Sequence, residues 1–150
     1  MVALIQRVDE AQVYIGEKRH DYIGKGLLVF LGIAAGDGMT DADYLLEKVL
    51  HLRIFEDADG KMNLSLLDIS GELLVVSQFT LMADCRKGRR PSFTGAASPD
   101  QAKPLYNYFI DRAKQRLGKI AGGEFQSMMK IRLINDGPVT ISITSRENKN

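Results

Sequence analysis

A chain of 150 residues, 45% hydrophobic and 26% charged, is composed like one ordinary globular domain, long enough to bury roughly 70% of the surface its unfolded form exposes. A formal charge of +1 excludes a surface that is cationic throughout, and a single cysteine, Cys85, excludes an internal disulfide and a CxxC metal or redox site. The longest apolar run, residues 27–35, is too short to span a bilayer, and the first residues do not read as a signal peptide, so a reduced, cytoplasmic protein without a membrane partner is expected.

Residues 2–8 alternate and read as a strand, 12–15 as a second, with Asp9-Glu10 as the tight connection between them. Residues 16–21, which include His20, read as a turn. The apolar run 26–34 has the length of a strand buried on both faces. Past Gly36-Asp37-Gly38, Thr40 is placed as an N-cap with Asp43 in a box-like position. Tyr44, Leu45, Val49 and Leu52 follow at helical spacing and predict a helix over 41–53. Residues 57–61 read as a turn, 73–79 as a strand, and 83–97 as a polar, basic, glycine-bearing loop of functional length. Ser98-Pro99-Asp100-Gln101 is a helix start, with Ser98 capping, Pro99 in the first turn and Gln101 able to reach back. Leu105, Tyr108, Phe109, Arg112 and Leu117 carry that helix towards Gly118. Strands are expected over 124–134 and 139–145, joined by Asn135-Asp136-Gly137-Pro138, and the polar tail 146–150 is expected to fray. With no repeat or linker, residues 1–150 form one domain, a sheet with two helices arranged as α+β or as a barrel-like sheet.

Three segments carry chemistry. At the joint, Asp136-Gly137 suits a hairpin turn, but Pro138 lacks an N–H where the next strand should start. Ser77-Gln78-Phe79-Thr80 places hydroxyls and an amide at the end of an apolar strand, a rigid support for a site, although such groups also serve simply to satisfy nearby backbone. Arg86, Lys87, Arg89 and Arg90 fall within five residues around Gly88, which suits phosphate contact as well as a solvated surface. The two histidines, His20 and His51, stand in no nucleophile or metal-ligand context, and no P-loop, GxGxxG or HExxH occurs, so no cofactor and no metal are expected. The chemistry must suit a site without a strong side-chain base.

Ser77-Gln78-Phe79-Thr80-Leu81 and Asn135-Asp136-Gly137-Pro138-Val139-Thr140 match both signature motifs of the D-aminoacyl-tRNA deacylases, the D-tyrosyl-tRNA deacylase family. Ile5-Gln6-Arg7-Val8 is similar to that family's opening strand. The basic loop resembles its Lys-Gly-x-Arg-Pro-Ser-Phe stretch, and Gly123-Glu124-Phe125 with Met128-Met129-Lys130 its segment before the last strands. The resemblance covers nearly the whole chain. It implies a barrel-like, mainly antiparallel sheet with two main helices, assembled as a homodimer with active sites at the subunit interface. It implies that Ser77, Gln78, Phe79 and Thr80 line the catalytic pocket and that a cis Gly137-Pro138 peptide reaches into the partner's pocket. Arg7 and Asn135 would support that turn. Phe125 and Met129 would enclose the terminal adenosine, with Arg86, Lys87 and Arg90 on the tRNA.

On this reading the partner is the 3′ acceptor end of a D-aminoacyl-tRNA, with no DNA expected. An aminoacyl ester is already activated, so its hydrolysis needs positioning and oxyanion stabilisation more than a potent nucleophile. Backbone N–H groups around Phe79 and Thr80 are candidate donors, with water or the RNA 2′-OH assisting. Two carbonyls of the Gly-Pro turn would clash with an L side chain and pass a D one. Glycine, with nothing to clash, should also be cleaved from its tRNA. Two departures from the family pattern stand out: Arg89 replaces a common asparagine, and Gln126-Ser127 replaces a pair that is usually small. The rival readings are a non-catalytic nucleic-acid-binding module using the basic loop, and a small-molecule esterase with Thr80 or Ser77 as nucleophile.

Overall fold

In the computed structural model, which describes residues 1–146, the first strand organises the sheet. One edge of β1 (Val2–Ile15) pairs antiparallel with β8 (Met129–Thr144) along its length. Its other edge pairs first with β3 (Gly26–Gly32) and then with β2 (Lys18–Ile23), both antiparallel. From β3 the sheet continues in parallel to β6 (Glu72–Ser77) and β7 (Ile120–Gly122). The Asp21 carboxylate of β2 accepts the Gly122 N–H at 3.0 Å, so β2 and β7 nearly close the barrel. The sheet is therefore mixed: β1 pairs antiparallel with all three of its neighbours, and only β3–β6 and β6–β7 are parallel. A separate hairpin joins β4 (Phe55–Glu56) and β5 (Met62–Leu64) through the expected turn at 57–61.

The apolar run in β3 serves two cores, because successive side chains point to opposite faces of a sheet. Leu27, Val29 and Leu31 join Leu73 and Val75 of β6 beneath α1 (Met39–His51) and α2 (Pro99–Lys114). Leu28 joins Leu74, Val76, Val8 and Val13 in a second cluster. No helix among the described residues is long and apolar enough to cross a membrane.

Several expectations are corrected. Asp9-Glu10 is no connection: β1 is continuous, and both residues are exposed where its register against β8 shifts. The joint at 135–138 is not a hairpin either. Asn135 stands opposite Val8 and Thr140 opposite Gln6 on the same strand, so residues 136–139 bulge out against Arg7 alone. Residues 16–21 form the turn and first half of the β1–β2 hairpin, with His20 exposed on β2. The strand read at 73–79 ends at Ser77 and gives way to a 3₁₀ turn, Phe79–Met82. Residues 124–128 are a turn and its exit rather than strand.

Helix α1 starts two residues early, capped at Gly38, because Asp41 rather than Asp43 turns back: its carboxylate accepts the Gly38 N–H at 2.9 Å. Helix α2 starts at Pro99 as expected, but Ser98 makes no side-chain capping bond and the helix ends at Lys114. Arg146 does not fray. It donates to the Asp41 carboxylate and to the Gly36 carbonyl, tying the end of β8 to α1. The rest of the polar tail, 147–150, lies outside the described residues.

Candidate active site

Strand β6 delivers its last residues to the rim of the barrel. The Gln78 N–H donates to the Leu31 carbonyl at 2.9 Å, which hooks the strand end to β3 before the chain turns. Gln78 Nε2 then donates to Thr80 Oγ1 at 2.5 Å. The Thr80 hydroxyl thus faces an amide, and among the described residues no histidine or carboxylate hydrogen-bonds to it or to Ser77. A nucleophile at either position has no activating base. The N–H groups of Phe79 and Thr80 open the 3₁₀ turn, where donors lack partners within the helix, and none of the described residues accepts from them.

Beside this turn lies a cleft of about 640 Å³. Its lining includes the buried Leu31 and Val76 together with Phe79, Phe125, Met129 and Ile131. Phe125 is half-buried and leans on Tyr106, with ring centroids 5.9 Å apart. Tyr106 is itself fixed, its hydroxyl donating to the Val75 carbonyl at 2.9 Å, and burial pushes the phenol up to about 12. After Phe125 the chain turns, with the Ser127 N–H donating to the Glu124 carbonyl at 3.2 Å. Gln126 takes φ +64° in that turn, a conformation that glycine adopts without strain.

The second motif lies elsewhere on the molecule. Arg7, only 4% exposed, donates from Nη1 to the Ile54 carbonyl at 2.5 Å and from Nε to the Asp136 carbonyl at 3.1 Å. It also pairs with the Asp136 carboxylate at 3.0 Å. Asn135 clamps the bulge from the other side, accepting the Val139 N–H at 2.8 Å and donating to Thr140 Oγ1 at 3.0 Å. Between these braces the Gly137-Pro138 peptide is cis, and both residues are exposed. The structure therefore brings Ser77, Gln78, Phe79, Phe125 and Met129 to one cleft, with Thr80 just outside its lining. It gathers Arg7, Asn135, Gly137 and Pro138 at another place, and none of these four lines that cleft.

The basic loop is closed at its base by paired backbone bonds between Asp84 and Ser92. Arg86 is not free: its Nε and Nη2 both donate to the Asp84 carboxylate, at 3.0 and 2.8 Å. The Arg86 guanidinium holds that carboxyl down to about 2. Lys87, Arg89 and Arg90 remain exposed with no carboxylate in ion-pair reach among the described residues. Phe93 carries the loop onto the cleft by meeting Phe79 edge-on at 5.1 Å. Sequence reasoning singled out neither Phe93 nor Tyr106 as a site residue, since an aromatic in a loop or a helix signals no particular neighbour. His51 is exposed beside Glu47 and Arg116, and like His20 lines no part of the cleft. Among the described residues no group of three or more His, Cys, Asp or Glu could hold a metal ion.

The chain matches the family model described as D-Tyr-tRNA(Tyr) deacylase over residues 4–144. It is 58% identical over 146 residues to a D-aminoacyl-tRNA deacylase of Syntrophus aciditrophicus (strain SB), covering 97% of this chain and 98% of that one. It is 52% identical over 148 residues to a D-aminoacyl-tRNA deacylase of Thermosipho melanesiensis, covering 98% and 99%. A solved structure described as c-Myc DNA Unwinding Element Binding Protein superposes with a TM-score of 0.93 at 38% identity, over 97% of this chain and 99% of that one. Another, described as a probable eukaryotic D-amino acid tRNA deacylase, shares the fold with a TM-score of 0.80 at 17% identity, over 95% and 98%.

Proposed function

The chain belongs to the D-Tyr-tRNA(Tyr) deacylase family, and from that premise we propose that it hydrolyses the ester of D-aminoacyl-tRNAs at the Phe79 cleft, releasing D-amino acid and tRNA. The observation that carries this reading is the pair of unengaged N–H donors at Phe79 and Thr80 on the rim of a largely apolar cleft. Such donors stabilise the oxyanion that forms as the ester carbonyl is attacked, and removing one from a comparable site costs about 10²–10³ in rate. The cleft is large enough for a terminal adenosine between Phe79 and Phe125. Because the Thr80 hydroxyl is engaged by Gln78 rather than by a base, water or the RNA 2′-OH is the assisting group.

The working unit on this reading is a homodimer. Gly137 and Pro138 project from β8, whose outer edge has no partner strand among the described residues, and they line no part of their own cleft. An unpaired edge of that length is a natural site for a second copy. Across such an interface the Gly137-Pro138 carbonyls of one subunit would meet the α-carbon of the ester held by the other. A filter of that kind rejects L side chains, ignores which D side chain is present, and lets glycine through.

The test is a paired assay with D-tyrosyl-tRNA and L-tyrosyl-tRNA under identical conditions. Rapid loss of the D ester with the L ester intact is expected. Equal loss of both would leave an unselective esterase and remove the filter. The cross-subunit arrangement is tested by mixing a Phe79→Ala subunit with a Gly137→Ala subunit. A shared site predicts that the mixed dimer regains D-selective cleavage at one of its two sites.

A further inference from the structure

Two further hollows adjoin the cleft in sequence. One of about 500 Å³ lies along α2 and shares Phe125 with the cleft. The other, of about 290 Å³, lies at the β1–β2 hairpin and shares Glu124 with the α2 hollow. Helix α2 runs under the first two. Its opening turn, Pro99 and Ala102, borders the cleft, while Lys103, Asn107 and Lys114 border the groove at positions that fall on one helical stripe. The hairpin hollow is lined by the exposed Lys18, Arg19 and His20.

We propose that these hollows form a track for the single-stranded acceptor end of the tRNA, which crosses Phe125 as it leaves the cleft, follows α2, and reaches the β1–β2 hairpin. The proposal rests on the deacylase reading of the cleft. Phe125 borders both spaces, so its ring can separate the terminal adenosine from the next base and stack against it, a sequence-tolerant contact. Tyr106 holds that ring in place. Lys103 has no carboxylate in ion-pair reach among the described residues, and Lys114 has only the loose contact to Asp111 at 3.6 Å. Lys18 and Arg19 add two further cations at the far end. Against these stand Asp111 and Glu124, the latter at the junction of the two outer hollows. The balance of the track is cationic, as a phosphodiester backbone requires. The basic loop meets the cleft through the Phe93–Phe79 contact, and none of its residues lines either outer hollow. The track is therefore a second cationic surface, distinct from that loop.

The experiment compares kcat/KM on D-tyrosyl-tRNA with kcat/KM on the D-tyrosyl ester of adenosine, which fills the cleft and nothing beyond it. For Lys103→Ala with Lys114→Ala, the ratio of the two values is expected to fall about tenfold, and the log–log salt dependence for tRNA to lose about 0.7 per phosphate contact. Glu124→Gln should move the ratio the other way, by roughly two- to threefold. If the wild type cleaves both esters but the variants leave the ratio and the salt slope unchanged, the track is overturned while the deacylase reading stands. A parallel fall on both esters also overturns it, since the lysines would then act on the cleft itself. If the wild type cleaves neither ester, the deacylase reading falls and the track falls with it.

Discussion

Arg7 and Asp136 are 129 residues apart in sequence and joined twice in space, by Arg7 Nε to the Asp136 carbonyl at 3.1 Å and to its carboxylate at 3.0 Å. The same guanidinium reaches the Ile54 carbonyl. The planar fork of arginine meets acceptors in two directions, and a lysine ammonium cannot hold both in one geometry. Arg7→Lys should cost about 2 kcal/mol of stability, from one buried carbonyl left without its donor. It should also raise cleavage of L-tyrosyl-tRNA more than it lowers cleavage of D-tyrosyl-tRNA. Denaturant unfolding and the paired assay read the two effects. A variant that loses both activities in parallel would make Arg7 a purely structural residue.

Gly137 adopts φ +128°, and a Cβ there would stand 2.7 Å from Val139 Cγ2 and 3.1 Å from Arg7 Nη2. Gly137→Ala must therefore displace the Arg7 brace or the bulge. A loss of about 2 kcal/mol is expected in urea unfolding. Gly88→Ala serves as the comparison: φ there is +72°, but among the described residues, its chain neighbours aside, nothing lies within 4 Å of the added carbon, so only the backbone cost remains.

Gln126 bears a left-handed conformation at φ +64° in the turn that follows Phe125. Gln126→Gly removes that strain, and although glycine loses more entropy on folding, a net gain of about 0.5–1 kcal/mol is expected. For a chain of this size that is a rise in Tm of roughly 1–4 °C. A fall in Tm would show that the Gln126 side chain contributes more by its contacts than its backbone costs.

Asp41 is 5% exposed and accepts from Arg146, Ser145 and the Gly38 N–H. The Arg146 hydrogen bonds are the largest influence and hold its carboxyl well below the usual carboxylate range, despite burial. A carboxyl with a depressed folded-state pKa stabilises the fold fully above its unfolded value, near 4, and that contribution is lost as the pH falls through the depressed value. Asp41→Asn should therefore cost about 2 kcal/mol at pH 7. The gap between wild type and variant should narrow steadily below about pH 4. A gap that persists undiminished in strong acid would assign the loss to packing instead of charge.

Asp84 engages Arg86 in a two-point ion pair on the exposed loop. Asp84→Asn should release Arg86 as a fourth free cation beside Lys87, Arg89 and Arg90. If the loop meets phosphates, the log–log salt slope for tRNA steepens by about 0.7–0.9. An unchanged slope would place the loop off the RNA.

The helices and the buried strand β3 were legible because their periodicities come from burial on one stripe or on two faces, which composition records directly. The long strands were not. Asp9-Glu10 and Asp136-Gly137 look like turns because local chemistry favours them there, but both flanks of each pair remain bound to the same neighbouring strand, and that information lies more than a hundred residues away. Strand β2 is charged and exposed at Lys18, Arg19 and His20, so it shows no alternation to read. The cleft residues were found by their resemblance to known motifs rather than by spacing. That Arg86 is already occupied by Asp84, two positions away, was open to inspection but needed the closed loop to become a fact.

Strand β1 leaves the ribosome well before its principal partner, β8, with more than a hundred residues between them. At ordinary rates of synthesis roughly ten seconds separate them. For that interval the edge of β1 that β8 will occupy is uncovered, the barrel is open, and Arg7 has no Asp136 to hold. The barrel can therefore close only once β8 has emerged, through contacts of long sequence separation, which are the slow ones. A nascent chain stalled before residue 129 would carry the Ser77–Thr80 strand end and still be no editing enzyme.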